Sequence, residues 1–120
     1  MNPLFTGAIS GFLAVALGAF GAHALKASLS EYAMTIFSTA NEYHFYHSLA
    51  LVLVGLLIRQ KPSPSLLWSG RCFASGTLLF SGSLYALSLT GVSWLGAITP
   101  MGGVLFLVGW IMLAIEAIKH

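Results

Sequence analysis

The sequence predicts an all-α, polytopic membrane protein with four transmembrane helices, and two observations carry this prediction. Of its 120 residues, 58% are apolar and only 7% are charged, whereas a soluble domain carries roughly 25% charged residues. The apolar residues also form runs long enough to cross the hydrocarbon core of a bilayer, which takes about 20 helical residues. A chain of this length forms one domain, so we expect residues 1–120 to be a single four-helix transmembrane unit.

The first predicted span runs from Leu4 to Leu25 and ends before the first charged side chain, Lys26. A cleaved signal peptide is disfavoured, because no Lys or Arg precedes this run and the run is too long for a signal h-region. Small residues recur every three or four positions and form one helix stripe against which another backbone can pack closely. This helix-packing stripe consists of Gly7, Gly11, Ala14, Gly18 and Gly21. It could face the internal core, a second copy of the chain or another membrane protein.

The second helix is predicted to start at Ser28-Leu29-Ser30-Glu31, which has the pattern of a capping box with Ser28 as the cap. Two placements of residues 28–40 stay open: they lie in the membrane interface, or they extend the second helix. The span itself ends at Ile58, since Arg59 and Lys61 follow and Pro62 stops the helix.

The third span is predicted from about Leu67 to Leu89, followed by an uncharged connector that contains Trp94. Thr99-Pro100 is typical of an N-cap and the first residue of a helix, where the missing amide of proline costs nothing. The alternative is a longer fourth helix that starts near Trp94 and is kinked at Pro100.

The distribution of charge predicts the orientation. The loop between the second and third spans, with its flanks, holds Arg59, Lys61 and Arg71 and no acid. The positive-inside rule places this loop in the cytoplasm. Both termini then lie in the cytoplasm as well, and Glu31 and Glu42 face outside.

The polar residues inside the spans are predicted to form one layer in the outer half of the bundle. At 1.5 Å per residue, His47 lies about 18 Å and His44 about 22 Å along the second helix from Arg59. Similar counting places three residues of the other helices at comparable depth. The candidate polar layer consists of His23, His44, His47, Tyr85 and Thr99.

Three interpretations of this layer are open. Histidines at i and i+3 project from neighbouring positions and could share a metal ion, so His44 and His47 are weak candidate ligands. Ionisable groups at membrane depth also occur in proton and ion pathways. The third interpretation, which we favour, is that the histidines form interhelical hydrogen bonds that hold the bundle together.

The sequence offers little basis for an enzyme. It contains no nucleophile elbow, phosphate-binding loop or zinc-protease motif. Cys72 is the single cysteine and has no partner base nearby in sequence. We therefore expect a non-enzyme with no cofactor. The net charge of +2 is too small and too scattered for nucleic acid binding, which leaves the lipid bilayer as the expected partner.

Four sequence blocks resemble those of one family. They are Gly18-Ala19-Phe20-Gly21-Ala22-His23-Ala24-Leu25, Tyr43-His44-Phe45-Tyr46-His47, Phe80-Ser81-Gly82-Ser83-Leu84-Tyr85 and Thr99-Pro100-Met101-Gly102-Gly103. Together they resemble the DUF423 (YgdD-like) family of small bacterial inner-membrane proteins, which is similar to transmembrane protein 256. The resemblance implies a multi-pass protein of the bacterial inner (plasma) membrane. It implies no activity and supplies no catalytic residues.

Two functions follow as hypotheses. The favoured one is a non-enzymatic packing or accessory component that acts through helix contacts, because few polar groups reach water. The alternative is binding or transport of a proton, a metal ion or a small amphipathic molecule through the outer-leaflet histidine layer.

Overall fold

The computed structural model describes residues 1–119, and within this range the chain forms four long helices. They are α1 (Pro3–Leu25), α2 (Glu31–Gln60), α3 (Pro64–Thr90) and α4 (Thr99–Lys119). A short 3-10 turn, Ser93–Ala97, precedes α4. The prediction of an all-α fold is thereby confirmed. Three segments are long and apolar enough to cross a membrane: Pro3–Leu25, Pro64–Thr90 and Ser93–Lys119. The 30-residue α2 is long enough but less apolar, since it carries Asn41, Glu42, His44 and His47.

Side-chain caps begin the first three helices. Asn2 accepts a hydrogen bond from the Phe5 amide at 3.2 Å at the start of α1, and Ser63 does the same for the Leu66 amide at the start of α3. The third helix therefore begins at Pro64 rather than near Leu67, because a proline fits the first turn directly after its cap.

The cap of the second helix was predicted two residues too early. Ser30, in extended conformation, accepts from the Ala33 amide at 3.1 Å and is the N-cap of α2. Ser28 instead lies in the turn that closes α1, where its amide donates to the Leu25 carbonyl. Residues 31–40 continue without a break into the rest of α2, so they extend the second helix. The fourth helix begins at Thr99, as predicted, and the turn at Ser93–Ala97 is separate from it.

The helices pack as two tight pairs, α1 with α2 and α3 with α4, and α2 also packs on α3. Glycines bring the paired backbones close together. A Cβ added at Gly55 would lie 2.7 Å from the Leu4 Cα, and one added at Gly102 would lie 2.7 Å from the Phe80 Cα. The buried apolar centre joins α2 to the second pair through Ala50, Leu51, Val54, Phe73 and Phe106.

The outward surface is apolar and the molecule is elongated. Phe12, Leu78 and Leu107 are 69%, 75% and 67% exposed, a surface suited to lipid rather than to water. The long dimension of 49 Å is close to the full thickness of a bilayer with its headgroups, about 40–45 Å. Two helices also contain a wider turn in mid-course: α1 is π-helical at Leu17–Gly21, and α3 is π-helical at Thr77–Ser81.

Candidate functional site

The centre of the polar layer is a hydrogen-bonded network that joins three helices. Asn41 of α2 donates from Nδ2 to the Ala14 carbonyl of α1 at 2.8 Å and to the Tyr85 hydroxyl of α3 at 3.1 Å. The Tyr85 hydroxyl also lies 2.9 Å from Nδ1 of His44. His44 is buried. One amide, one phenol and one imidazole thus connect α1, α2 and α3.

Chemistry sets the direction of the two Asn41 bonds. The Asn41 Nδ2 group only donates, so the Ala14 carbonyl and the Tyr85 oxygen both accept from it. The direction of the bond between the Tyr85 hydroxyl and His44 Nδ1 depends on the histidine tautomer. Asn41, Tyr85 and His44 therefore form one hydrogen-bonded chain.

His47 faces a different part of the bundle. Its Nδ1 donates to the Tyr43 carbonyl at 2.8 Å, and its Nε2 accepts from the Trp110 indole of α4 at 3.1 Å. Its ring stacks on Phe106, with centroids 3.6 Å apart and planes inclined by 8°. Both ring nitrogens of this buried histidine form hydrogen bonds, and Phe106 covers one face of its ring. His47 therefore joins α2 to α4.

The remaining two members of the predicted layer lie apart from this network. Thr99 pairs with Ser83 of α3 through hydroxyl oxygens 2.6 Å apart, which ties the start of α4 to α3. His23 is exposed on α1 and borders a shallow surface pocket together with Lys26 and Glu31. The structure thus brings His44 and Tyr85 into contact and leaves His23 outside.

Metal binding by the two central histidines would compete with these bonds. His47 would have to give up the Tyr43 or the Trp110 bond, and Nδ1 of His44 would have to give up Tyr85. Among residues 1–119, no group of three or more His, Cys, Asp or Glu side chains is arranged to hold a metal ion.

The small-residue stripe of α1 faces α2. A Cβ added at Gly7 would lie 2.8 Å from the Val52 amide nitrogen, and one at Gly21 would lie 3.5 Å from the Phe37 ring. Ala14 is buried at the same seam. Gly11 and Gly18 lie opposite Ser48 and Asn41, respectively. The Ser10 and Ser48 hydroxyls, 2.6 Å apart, add a polar contact to this seam.

A slot opens on the other side of the network, between α1 and α3. Its volume is about 630 Å³, within the roughly 300–1,000 Å³ typical of small-molecule pockets. Its walls are mostly apolar and include Phe5, Ile9, Leu13, Leu17, Ala74 and Leu78. Six polar residues also line it: Thr6, Ser10, His44, Thr77, Ser81 and Tyr85. The slot is therefore an apolar cavity with a localised polar patch.

Several residues of this site were missed by sequence reasoning. Asn41 lies three positions before His44, on the same helix face, and this i, i+3 spacing of polar groups in an apolar helix is a signal that could have found it. Trp110 has no such signal, because it is one amphipathic residue in a long apolar helix. Ser81 has none either, because it is one of several serines along α3.

Comparison with known proteins identifies the family to which the chain belongs. The profile described as "Protein of unknown function (DUF423)" matches residues 17–103. The chain belongs to the DUF423 family. It is 47% identical over 116 residues to a UPF0382 membrane protein of Staphylococcus epidermidis, which covers 97% of this chain and 94% of the relative.

Two further DUF423 relatives are similar over nearly their whole lengths. The UPF0382 membrane protein YwdK of Bacillus subtilis is 44% identical over 98% of this chain and 96% of its own. The UPF0382 inner membrane protein YgdD of Escherichia coli is 42% identical over 97% of this chain and 88% of its own. No solved structure matches significantly. The chain is thus a membrane protein of a family whose description names no activity.

Proposed function

We propose that this DUF423 protein is a non-enzymatic accessory component of the bacterial inner membrane, which acts through its helix surfaces. The observation that supports this most directly is the hydrogen bonding of the two central histidines. Both ring nitrogens of His47 have protein partners, and Nδ1 of His44 bonds to the Tyr85 hydroxyl. Interhelical hydrogen bonds of this kind stabilise a bundle.

The whole chain forms a single transmembrane domain in this proposal, with α2 as the fourth span. The 30 residues of α2 correspond to about 45 Å at 1.5 Å per residue, which exceeds the roughly 30 Å hydrocarbon core. Asn41, His44 and His47 bond to α1, α3 and α4. Glu42 is exposed, and in this proposal it lies at the outer aqueous edge of the span. An amphiphilic helix of this kind spans a membrane when its neighbours satisfy its polar side chains.

Both termini lie in the cytoplasm on this topology, because the loop at 61–63 and its basic flanks are placed inside. The test is cysteine labelling in spheroplasts, in a Cys72→Ser background. Gln60→Cys should be protected from an impermeant maleimide until the membrane is opened, and Ser28→Cys should react at once; both native side chains are exposed. The opposite pattern of protection would reverse the topology.

The alternative role, proton or metal-ion transport, would use the same histidines. The variant His47→Ala tests both roles. In the accessory role, His47→Ala lowers the melting temperature in detergent, and proteoliposomes of the wild type show no proton or zinc flux above empty vesicles. His23→Ala is the matched control, because His23 is exposed and its loss should leave the melting temperature unchanged. A wild-type flux that disappears in a folded His47→Ala variant would refute the accessory role and establish transport.

A further inference from the structure

We propose that Arg71 and Trp68, on the outward face of α3, form a binding site for the phosphate group of an anionic phospholipid. The lipid belongs to the leaflet that surrounds the start of α3, which is the cytoplasmic leaflet on the topology proposed above. This inference goes beyond the accessory role, because it assigns a ligand to two exposed side chains that the role does not use.

Arg71 lies on the side of α3 that is turned away from its neighbours α2 and α4. Its Cα is seven residues, or about 10 Å, along the helix from Pro64. A charged side chain that faces lipid this far along a span is costly unless its charge reaches the interface. The exposed residues of this face recur at helical spacing and are Leu67, Trp68, Arg71, Ser75 and Leu78.

The side chain of Arg71 turns back toward the start of α3. Its guanidinium carbon lies 4.9 Å from the centre of the Trp68 ring, three residues earlier in the helix. Tryptophan prefers the membrane interface, and long basic side chains reach toward the same region. The cation and the ring therefore meet at the level of the lipid headgroups rather than among the acyl chains.

The Arg71 guanidinium has no anionic partner within the protein. Its contact with Trp68 is a cation–π attraction, which positions the cation but supplies no acceptor oxygen. Among residues 1–119, no oxygen accepts a hydrogen bond from Arg71 and no carboxylate pairs with it. The planar fork of N–H donors matches the oxygens of a phosphate group, which it can bind at two points.

The positions of the acids select the charge of the headgroup. The chain has three acidic side chains, and α3 contains none of them. Glu31 and Glu42 are in the first half of α2, remote from the loop that leads into α3. Glu116 is buried and accepts a hydrogen bond from Ser63. A zwitterionic headgroup would bring its own ammonium group to a cation without an acid beside it, whereas an anionic headgroup brings only the missing negative charge.

The same face of α3 accommodates the acyl chains of the lipid. Leu67 and Leu78 are 42% and 75% exposed. Leu78 lies about 10 Å further along the helix than Arg71, in the direction in which the chains of a phospholipid run from its phosphate. One lipid molecule can therefore pair with the cation and cover the apolar surface beyond it.

Arg59 provides a matched control. It is an exposed arginine near the same end of the bundle, in the last turn of α2. Within residues 1–119, no aromatic ring lies beneath its guanidinium. Because Arg71→Gln and Arg59→Gln remove the same charge, the general attraction of anionic lipid should fall equally in both variants. A loss specific to Arg71→Gln identifies a site.

The experiment is native mass spectrometry of the full chain in detergent, freed of co-purified lipid and then incubated with dioleoylphosphatidylglycerol or dioleoylphosphatidylcholine. The two probes have the same acyl chains and differ in headgroup charge. We expect one phosphatidylglycerol retained per chain, and less phosphatidylcholine. Arg71→Gln should lower the retention of phosphatidylglycerol by about tenfold or more, the effect of losing a charge-assisted hydrogen bond. Arg59→Gln should lower it by less than about threefold.

Arg71→Lys tests the geometry of the site. It keeps the charge but lacks the planar fork, so its retention of phosphatidylglycerol should lie between those of the wild type and Arg71→Gln. Equal retention of the two lipids by the wild type, or equal losses in Arg71→Gln and Arg59→Gln, would overturn the proposal. A second protein chain that is released in Arg71→Gln would also overturn it, because the cation would then belong to a contact between copies.

Trp68→Leu keeps the test decisive if Arg71→Gln does not fold. It preserves the charge and changes a side chain that is 53% exposed, so it should not disturb folding. Without the ring that positions the cation, it should retain less phosphatidylglycerol than the wild type. Undiminished retention by Trp68→Leu would then reject the site.

Discussion

Replacing Gly102 by alanine should destabilise the α3–α4 pair, whereas the same change at the next residue should not. Both glycines lie in the first turns of α4, so both changes alter the intrinsic helix propensity by the same amount. They differ in their surroundings. The Cβ added at Gly102 would lie 2.7 Å from both Cα and Cβ of Phe80, while the one at Gly103 has no neighbour closer than 3.9 Å.

The expected magnitude follows from these distances. Real Cβ atoms do not approach other heavy atoms to 2.7 Å, and the neighbour at Gly102 includes backbone, so α4 must move away from α3. Overpacking of this kind costs about 1–3 kcal/mol. Gly103→Ala should instead gain up to about 1 kcal/mol, because glycine is a poor helix former. Because the gain in helix propensity is common to both variants, their free energies of unfolding should differ by the overpacking cost alone, about 1–3 kcal/mol.

The assay is equilibrium unfolding by SDS in mixed micelles, followed by circular dichroism, for wild type, Gly102→Ala and Gly103→Ala. Gly55→Ala tests the α1–α2 pair in the same way, since its added Cβ would lie 2.7 Å from the Leu4 Cα. If Gly102→Ala were as stable as Gly103→Ala, the close approach of the α3 and α4 backbones would be refuted.

Three further predictions concern the interior. Tyr85→Phe removes the hydroxyl shared by Asn41 and His44 and should lower the free energy of unfolding by about 1 kcal/mol. Tyr32→Phe, at an exposed site, is the control. Equal stability of the Tyr85→Phe and Tyr32→Phe variants would contradict the network. Trp110→Phe removes the indole donor to His47 at a cost of about 1 kcal/mol, and this cost should shrink in a His47→Ala background; strict additivity would argue against the bond. Cys72 is buried, so a maleimide should label it slowly in the folded protein and rapidly in SDS, with Gln60→Cys as the exposed control; rapid labelling of the native protein would place Cys72 at the surface.

The helix boundaries were predictable where a local signal decides them. The proline and the basic residues after Ile58 predicted the end of α2. Thr99-Pro100 predicted the start of α4 to within one residue. The cap of α2 was assigned to Ser28 instead of Ser30 because Ser28 has a glutamate three residues later, as a capping box requires, whereas Ser30 has Ala33 there. Only the path of the preceding turn, in which the Ser28 amide bonds to Leu25, decides between them.

The helical rise predicts a common depth for the polar layer, but it does not predict the hydrogen-bond partners of the residues in it. His44 and His47 are three residues apart, yet one ring meets Tyr85 and the other meets Trp110, because the neighbouring helix differs on each side. The π-helical turn at Thr77–Ser81 was not predicted either, since it depends on how one extra residue is accommodated in a helix turn rather than on a residue signature.

The three tryptophans provide built-in optical reporters of three different environments. Trp68, near the start of α3, lies under the Arg71 guanidinium at 4.9 Å, and Trp94 is 65% exposed in the connector beyond the other end of α3. Trp110 lies between them, with its indole N–H bonded to His47. The indole emission spectrum depends on polarity and hydrogen bonding, so three single-tryptophan variants would report separately on the two ends and on the interior of the bundle. Quenching by lipids brominated at defined carbons would turn these three signals into a ruler for the depth of the protein in its bilayer.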